Sequence, residues 1–593
     1  MKQKNKTAAA RRQAPTTIKT KEKKCMVEYI AVNLFCLFVF LAFGYVAVMS
    51  FFQTSTIDPT KYVSEKILFQ SDYIPLNFLV TFLIFLFIFA MRRFYDFFAK
   101  VNLRIMEIAL AVFVITLGFI WIFNVRSIPA ADSQNIFEAA TDAAKDNYKS
   151  MQNHTAFYNS DFYNGYSYFH FYPFQLGFVF ICELIYRVFG TDSSMPVQVI
   201  NVLCVAATYY ALARLSFLLF KKRSVEFITI LLLAVCFQPI LFCTFVYGNI
   251  IGMCCAVWAS LLLVKYFQTG KWLWAAVSGV LLVLATLAKY NNMIYLAAFV
   301  IMLIIHIFRD KKWQSAAIAA AMVIAVLLSN SAVIGMYEQR SGTDFEDGVP
   351  QTMYLDMGLS ESYMAPGWYS TSTEDPVTKR RLPVGKQAYL DYYLDPKLRG
   401  KQDVKISDAN EKVRKHIDSR MEVFSDDPDY MMDFFSKKIL SQWNEPTFES
   451  IWVSRVKQHT ATEEQKTKFK SDVVNSEQMK GLTQSVYFKS TGQVLELHFN
   501  LYMQIVYAMF AAGIYLMFIN KRTGIETVLL PLVLLGAFGY HLLFEGKSQY
   551  ILSYIPLLIP TAAYAFSVML GGKYEGVKKI LAKINHIPNR YND

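Results

Sequence analysis

The chain has 593 residues, of which 54% are hydrophobic and 16% aromatic, with a mean hydropathy of +0.28. A helix crosses the ~30 Å hydrocarbon core of a bilayer with about 20 residues, and the many apolar runs of that length exclude an ordinary water-soluble protein. The net charge of +13 does not point to nucleic acid, because the basic residues cluster in tails and short loops beside apolar runs, as in the positive-inside pattern.

Residues 1–25 are polar and basic and read as a cytoplasmic tail. The apolar run after it, about 26–52, exceeds the ~7–15-residue core of a signal peptide and reads as a retained first helix. Twelve spans are predicted, near 27–52, 77–92, 104–124, 196–220, 226–245, 249–267, 272–288, 290–308, 314–336, 498–519, 525–543 and 549–570. The expected fold is therefore an all-α polytopic membrane protein.

The run near 171–190 is ambiguous by length, and charge decides it. With it excluded, Arg92-Arg93, Lys221-Lys222-Arg223, Lys311-Lys312 and Lys521-Arg522 all fall on the same side as the basic tail. If it spans, Lys221-Lys222-Arg223 falls on the other side. The positive-inside rule thus predicts a multi-pass cell-membrane protein with both termini cytoplasmic and an interfacial helix at 171–190.

The predicted organisation is a membrane core over 26–336 with an external loop at 125–195. An external soluble loop domain of α/β or mixed type follows at 337–497, then spans over 498–570 and a cytoplasmic tail at 571–593. Turn signals in the long loop stand at Asp347-Gly348, Pro366-Gly367 and Arg399-Gly400, and 408–424 has the pattern of an amphipathic helix. The eight cysteines lie in or beside apolar segments, so neither a disulfide framework nor a zinc site is expected in that loop.

There is no GxxxxGK[ST] phosphate loop and no HExxH pattern. Acids near the middle of spans are sparse, which argues against a proton-coupled transporter. Glu107 falls at the inner end of its span, and Glu183 in the interfacial run. Asp132 stands out as the first carboxylate after the 104–124 span, at the head of the first sizeable external loop. It can cap a helix starting at Ser133, where a carboxylate suits the helix dipole, or act as a base at the membrane surface.

The ordered pattern Ser127-Ile128-Pro129-Ala130-Ala131-Asp132, then Tyr172-Pro173-Phe174-Gln175, then Val188-Phe189-Gly190, followed late by Gln549-Tyr550 with Pro556 and Pro560, resembles the GT-C class of integral-membrane glycosyltransferases. That class includes protein O-mannosyltransferases and lipid A aminoarabinose transferases. The resemblance covers the membrane part and not 337–497. It implies a bacterial polyprenyl-phosphate-sugar-dependent glycosyltransferase. Such an enzyme moves a sugar to a surface glycan or cell-wall acceptor on the outer face, with membrane lipid and no nucleic acid as partner.

In that reading Asp132 is the catalytic base. The cations Lys289, Arg126, Arg340 and Lys547, all near outer helix ends, are candidates for the donor phosphate. Tyr172, Gln175, Trp368, Trp443 and Glu445 are candidates for sugar or acceptor contact, with Glu445 also a reserve second acid. Snorkelling explains any single one of the cations better, an aromatic belt explains Tyr172 equally well, and a loop core explains the two tryptophans equally well. Many members of the class carry a second acid where Ser133 and Gln134 stand here, which argues against a divalent metal. The alternatives are a lipid-linked-sugar flippase or transporter and a glycan polymerase or ligase.

Overall fold

A computed structural model describes residues 25–57, 65–91, 100–129, 131–152, 167–191, 193–345, 348–369, 410–459, 481–488, 490–520 and 523–571. The basic tail up to residue 24, Arg92-Arg93, Asp347, the Arg399-Gly400 turn, Lys521-Arg522 and the tail from 572 lie outside the described residues.

Each of the twelve predicted spans is occupied by helix. In chain order they begin with α1 (Met26–Phe52), the short strands β1 (Gln53–Ile57) and β2 (Ile67–Ser71), α2 (Ile74–Met91) and α3 (Leu103–Val125). Next come the loop helices α4 (Asp132–Ala143) and α5 (Leu176–Phe189). The bundle continues with α6 (Met195–Phe220), α7 (Arg223–Ala234), α8 (Asn249–Thr269), α9 (Trp272–Ala288), α10 (Met293–Asp310) and α11 (Gln314–Ser341). Three helices of the long loop follow, α12 (Gln351–Gly358), α13 (Asn410–Asp426) and α14 (Pro428–Trp443). The chain closes with α15 (Ser490–Ile519), α16 (Leu529–Leu543) and α17 (Ile559–Gly571).

Among the described residues ten helices are long and apolar enough to cross a membrane, and α7 with the bent segment Gln238–Thr244, at 45°, makes an eleventh. The remaining predicted span is α9, apolar but only 17 residues long. The run at 171–190 forms a 14-residue helix, α5, whose rise of about 21 Å falls short of a bilayer core.

The helices are apolar all round, and position alone divides their faces. On α1 the buried residues Val32, Cys36, Val39, Phe43, Val46 and Ser50 recur every three or four positions, one stripe of a helix. Leu34, Leu37, Phe38, Leu41 and Val48 are exposed on the remaining surface. Polarity does not separate these faces, as expected where one side meets lipid.

Buried acids at the end of the bundle opposite Asp132 are paired. Glu107 is fully buried and accepts from Arg104 at 3.2 Å and Arg214 at 3.3 Å, while Arg214 also holds Glu226 at 2.5 Å. These pairs tie α3, α6 and α7 together. Glu183 of α5 is likewise a hub. It accepts from the Tyr337 hydroxyl at 2.5 Å, Arg187 at 2.9 Å and Arg340 at 3.4 Å, which fastens α5 to the end of α11.

The mixed α/β character expected for 337–497 is absent among the described residues, where that region is helical. The one sheet described is the antiparallel pair β1–β2, with Gln53 opposite Ser71, in the first short connection. The described part of the long loop is also packed onto the bundle. The Trp443 ring meets Phe43 at 5.1 Å and Phe538 at 5.9 Å, and Tyr507 donates to its carbonyl at 2.6 Å. The fully buried Lys438 of α14 donates to the carbonyls of Gly358 at 2.5 Å and Phe544 at 2.8 Å. Burial pushes that amine well below the usual lysine range, against the charge of Glu545. The long loop is thereby held to the connection between α16 and the last span.

Candidate active site

Asp132 is the first residue of α4 and is half-buried. Ala131 before it has φ +53 and ψ −134, a sparsely populated conformation that costs on the order of 1–3 kcal/mol and persists only where surroundings impose it. The helix starts one residue earlier than the capping pattern implied, so the cap position falls on Ala131, which makes no side-chain cap bond. The Asp132 carboxylate accepts instead from the Tyr247 hydroxyl, Oη to Oδ2, at 3.1 Å.

Tyr247 lies in the short break between the bent segment ending at Thr244 and α8. Its hydroxyl accepts from Gln175 Nε2 at 2.8 Å. The Lys289 amine stands 3.7 Å from the centroid of its ring and 5.5 Å from that of Tyr550. Burial pushes Lys289 down to about 7, while the charges of Asp132 and Glu545 act to hold its proton. A carboxylate, a phenol, an amide and an amine near neutrality thus converge from four separate stretches of chain.

Small residues make that convergence possible. Gly248 has φ +80, and a Cβ on it would stand 1.9 Å from the carbonyl oxygen of Ala288, the residue before Lys289. A Cβ on Gly177 would stand 2.5 Å from the Leu287 carbonyl oxygen. Helix α5 and the start of α8 therefore approach the end of α9 backbone to backbone, with no room for a side chain between them. Gly248→Ala combines a left-handed backbone with overlap against a carbonyl, so it is expected to destabilise the protein by about 1–3 kcal/mol. A lowered thermal midpoint of the purified protein checks this. An unchanged midpoint would mean that the close approach does not hold.

An aromatic wall flanks the cluster. Phe174 meets Tyr172 at 6.2 Å, Tyr290 at 5.8 Å and Tyr354 at 6.5 Å. The Tyr354 hydroxyl is buried and makes no hydrogen bond to the described residues. Its phenol is raised well above the ordinary value by burial, with Glu545, Tyr540 and Asp132 contributing.

The other expected phosphate-binding cations are engaged elsewhere. Arg126 adopts the left-handed cap of α3 and donates to the Phe123 carbonyl at 3.2 Å. Arg340 pairs with Glu183. Lys547 pairs with Glu65 at 2.5 Å. Burial opposes the Lys547 charge, but Glu65, Glu449 and Glu545 outweigh it and raise the amine.

The sugar contacts expected of Trp368 and Trp443 are not open in this structure. They are 2% and 1% exposed, and Trp368 spends its indole N–H on Ser441 Oγ at 2.9 Å. A ring without a free face cannot stack on a sugar. Glu445 is also buried, and it accepts from Thr447 N, Thr447 Oγ1, Glu449 N and Ser548 Oγ at 3.0, 2.6, 2.8 and 3.0 Å. It organises a loop in which both Phe448, φ +49, and Glu449, φ +59, are left-handed. That loop backs the Lys547–Tyr550 stretch and does not face Asp132 in any bond described.

Sequence reasoning missed Tyr247, Tyr354 and Glu545. The polar break Tyr247-Gly248-Asn249 inside a long apolar stretch is the signal that marks the first of them. Among the described residues no three His, Cys, Asp or Glu side chains form a group that could hold a metal ion. Among the described residues Asp132 has a phenol as its bonded partner and an amine in its field, a donor set that does not fit a divalent cation.

Fold and site together define a polytopic membrane protein with a candidate catalytic carboxylate at one end of its helical bundle. Residues 175–334 match the family model of the dolichyl-phosphate-mannose-protein mannosyltransferases. The matched stretch contains Gln175, Tyr247 and Lys289 and begins after Asp132. The chain is thus similar to the GT-C glycosyltransferases, as its ordered motifs indicated, and the match supports a glycosyltransferase activity.

No curated protein matches the chain. Among solved structures it resembles the oligosaccharyltransferase of Archaeoglobus fulgidus in complex with zinc and sulfate, at 13% identity and a TM-score of 0.38, over 82% of this chain and 51% of that one. It also resembles ArnT from Cupriavidus metallidurans bound to undecaprenyl phosphate, at 11% identity and a TM-score of 0.31, over 81% of this chain and 80% of that one. The chain spans about half the length of the oligosaccharyltransferase.

Proposed function

We propose that the protein transfers a single sugar from a polyprenyl-phosphate donor to a surface glycan or cell-wall acceptor on the outer face of a bacterial membrane, with Asp132 as the base. The observation that carries this reading is the Asp132–Tyr247–Lys289 cluster, which sets a proton acceptor beside a cation at one end of the bundle.

In the proposed reaction the Asp132 carboxylate takes the proton of the acceptor hydroxyl. The acceptor oxygen attacks the anomeric carbon from the face opposite the phosphate. The bond from that carbon to the phosphate oxygen breaks, and the electron pair leaves with the lipid phosphate. The product has inverted configuration. A phosphate leaving group needs stabilisation of negative charge more than protonation, and Lys289 is the cation best placed to give it. One carboxylate suffices, unlike the pair that most glycosidases use. Gln175, Tyr172 and Tyr354 supply polar and aromatic contacts for the sugar or acceptor.

The distribution of basic residues in the sequence supports an outward-facing Asp132 end and cytoplasmic termini. Pairing of the buried acids at the opposite end favours this enzyme over a flippase or transporter, which needs ionisable groups along a path. Purified full-length protein given labelled polyprenyl-phosphate sugar is expected to release lipid phosphate and form a glycosidic bond. Turnover only with a lipid-diphosphate oligosaccharide would point to a polymerase or ligase instead. Movement of lipid-linked sugar across vesicles without bond formation would point to a flippase.

A further inference from the structure

We infer that Tyr247 is the positioning residue of this site, orienting the Asp132 carboxylate through its hydroxyl and seating the Lys289 amine on its ring face. The inference rests on the proposed roles of Asp132 as base and Lys289 as the phosphate-binding cation.

The hydrogen-bond directions follow from the groups themselves. An ionised carboxylate only accepts, so the single phenolic hydrogen goes to Asp132 Oδ2 at 3.1 Å. The lone pairs of the same oxygen then take the Gln175 amide at 2.8 Å, which must present its nitrogen. Gln175 thereby aims the phenol, and the phenol aims the carboxylate. On the ring face the Lys289 amine stands 3.7 Å from the centroid, inside the range in which a cation is drawn to an aromatic quadrupole.

The backbone around Tyr247 is fixed from both sides. Asn201 Nδ2 donates to the carbonyls of Cys243 at 3.0 Å and Phe245 at 3.1 Å. Asn249 Nδ2 donates to the Gln549 carbonyl at 3.2 Å, just before Tyr550, whose ring also faces Lys289. Gly248 presses against the Ala288 carbonyl. The ring is 7% exposed and cannot swing toward solvent without breaking these contacts. A single buried side chain therefore sets the distance between base and cation. A displacement needs that distance held, because the acceptor oxygen and the leaving phosphate lie on opposite sides of one carbon.

The two roles reside in different atoms, so two substitutions separate them. Tyr247→Phe keeps the ring and removes the hydroxyl. Tyr247→Leu removes both. The probe for the cation is undecaprenyl phosphate, bound to full-length protein in nanodiscs. The probe for the base is modification of surface glycan in cells carrying only the variant.

Tyr247→Phe is expected to bind undecaprenyl phosphate within about twofold of wild type while glycan modification falls at least about tenfold at equal protein level. Tyr247→Leu is expected to lose about 3- to 30-fold in binding as well, the range of one cation–aromatic contact. A merely structural role would move binding, modification and thermal midpoint together in Tyr247→Phe. Normal modification by Tyr247→Phe, with Lys289→Met defective in binding, would overturn the inference and leave the wider reading standing. Failure of the wild-type protein to bind undecaprenyl phosphate would instead sink the wider reading.

Discussion

Asp132→Asn is expected to lower sugar transfer by roughly 10²–10⁴-fold, the loss typical of a missing general base. Asparagine keeps the size of the side chain, and its amide oxygen still accepts from the Tyr247 hydroxyl that now lies 3.1 Å from Oδ2. Folding and insertion should therefore survive, and only proton acceptance is lost. The rival role, a charge at the start of α4, makes a different prediction. Removing a carboxylate from a helix N-terminus costs about 0.3–1 kcal/mol, so a purely capping Asp132 would give a slightly lower thermal midpoint and normal transfer. Measuring both on the purified variant separates the two roles, and normal glycan formation in cells carrying only Asp132→Asn would remove the assignment.

Substitution at Lys289 is expected to have the second largest effect. Lys289→Met removes the cation from a site where a hydrogen bond to a charged group is worth about 1.5–3 kcal/mol, so binding of undecaprenyl phosphate should weaken by roughly 10- to 150-fold. The pH dependence follows from the amine near 7. Below that pH the free site carries an ammonium, and above it an amine, so wild-type affinity for the lipid phosphate should fall between pH 6 and pH 8.5. Lys289→Arg keeps a guanidinium charged throughout while the phosphate monoester, with a second pKa of about 6, gains charge, so its affinity should not fall across that window. A flat wild-type profile would show that the amine does not titrate there.

The same shift has a sign for stability. Between about 7 and the ordinary lysine value of ~10.4 the unfolded chain binds more protons than the folded one, so this group's contribution improves as pH rises. The penalty is complete below about 7 and gone above the unfolded value. Lys289→Met should thus raise the thermal midpoint more at pH 6 than at pH 9. A residue that weakens the fold while sitting on the ring that bonds Asp132 is one that packing alone does not account for.

The helical bundle was legible because its signal is local. About 20 apolar residues in a row have few fates other than a span, and the twelve runs each correspond to helix. The run at 171–190 was ambiguous by length in the sequence, and in the structure it forms a helix of only 14 residues. Asp132, Gln175 and Lys289 could be singled out because each breaks an apolar neighbourhood near a helix end. Arg126, Arg340 and Lys547 shared that property, and nothing local distinguishes a cation facing a ligand from one already paired. The carboxylate partners of Arg340 and Lys547, Glu183 and Glu65, are 157 and 482 residues away.

The tryptophans show the same limit from the other side. Trp368 and Trp443 lie in a polar stretch that reads as exposed, yet α14 docks onto α1 and α16 and takes both rings out of solvent. Periodicity reports which face of a helix is apolar and not what that face meets. The strands β1 and β2 escaped notice because an antiparallel pair of five-residue strands is shorter than any pattern that separates strand from loop.

By itself, then, the sequence determined a polytopic helical membrane protein and an acid at the head of the loop after its third long apolar helix. Those properties depend on chain length, hydropathy and charge, which act over neighbouring residues. The tertiary structure decided which cation meets that acid and what holds the two apart. Tyr247 joins Asp132, 115 positions earlier, to Gln175 and Lys289, and only a fold in which Gly248 meets the Ala288 carbonyl brings those stretches within reach. Hydrogen bonds and cation–aromatic contacts act over a few ångströms, so a catalytic arrangement drawn from four segments exists only once the bundle has packed.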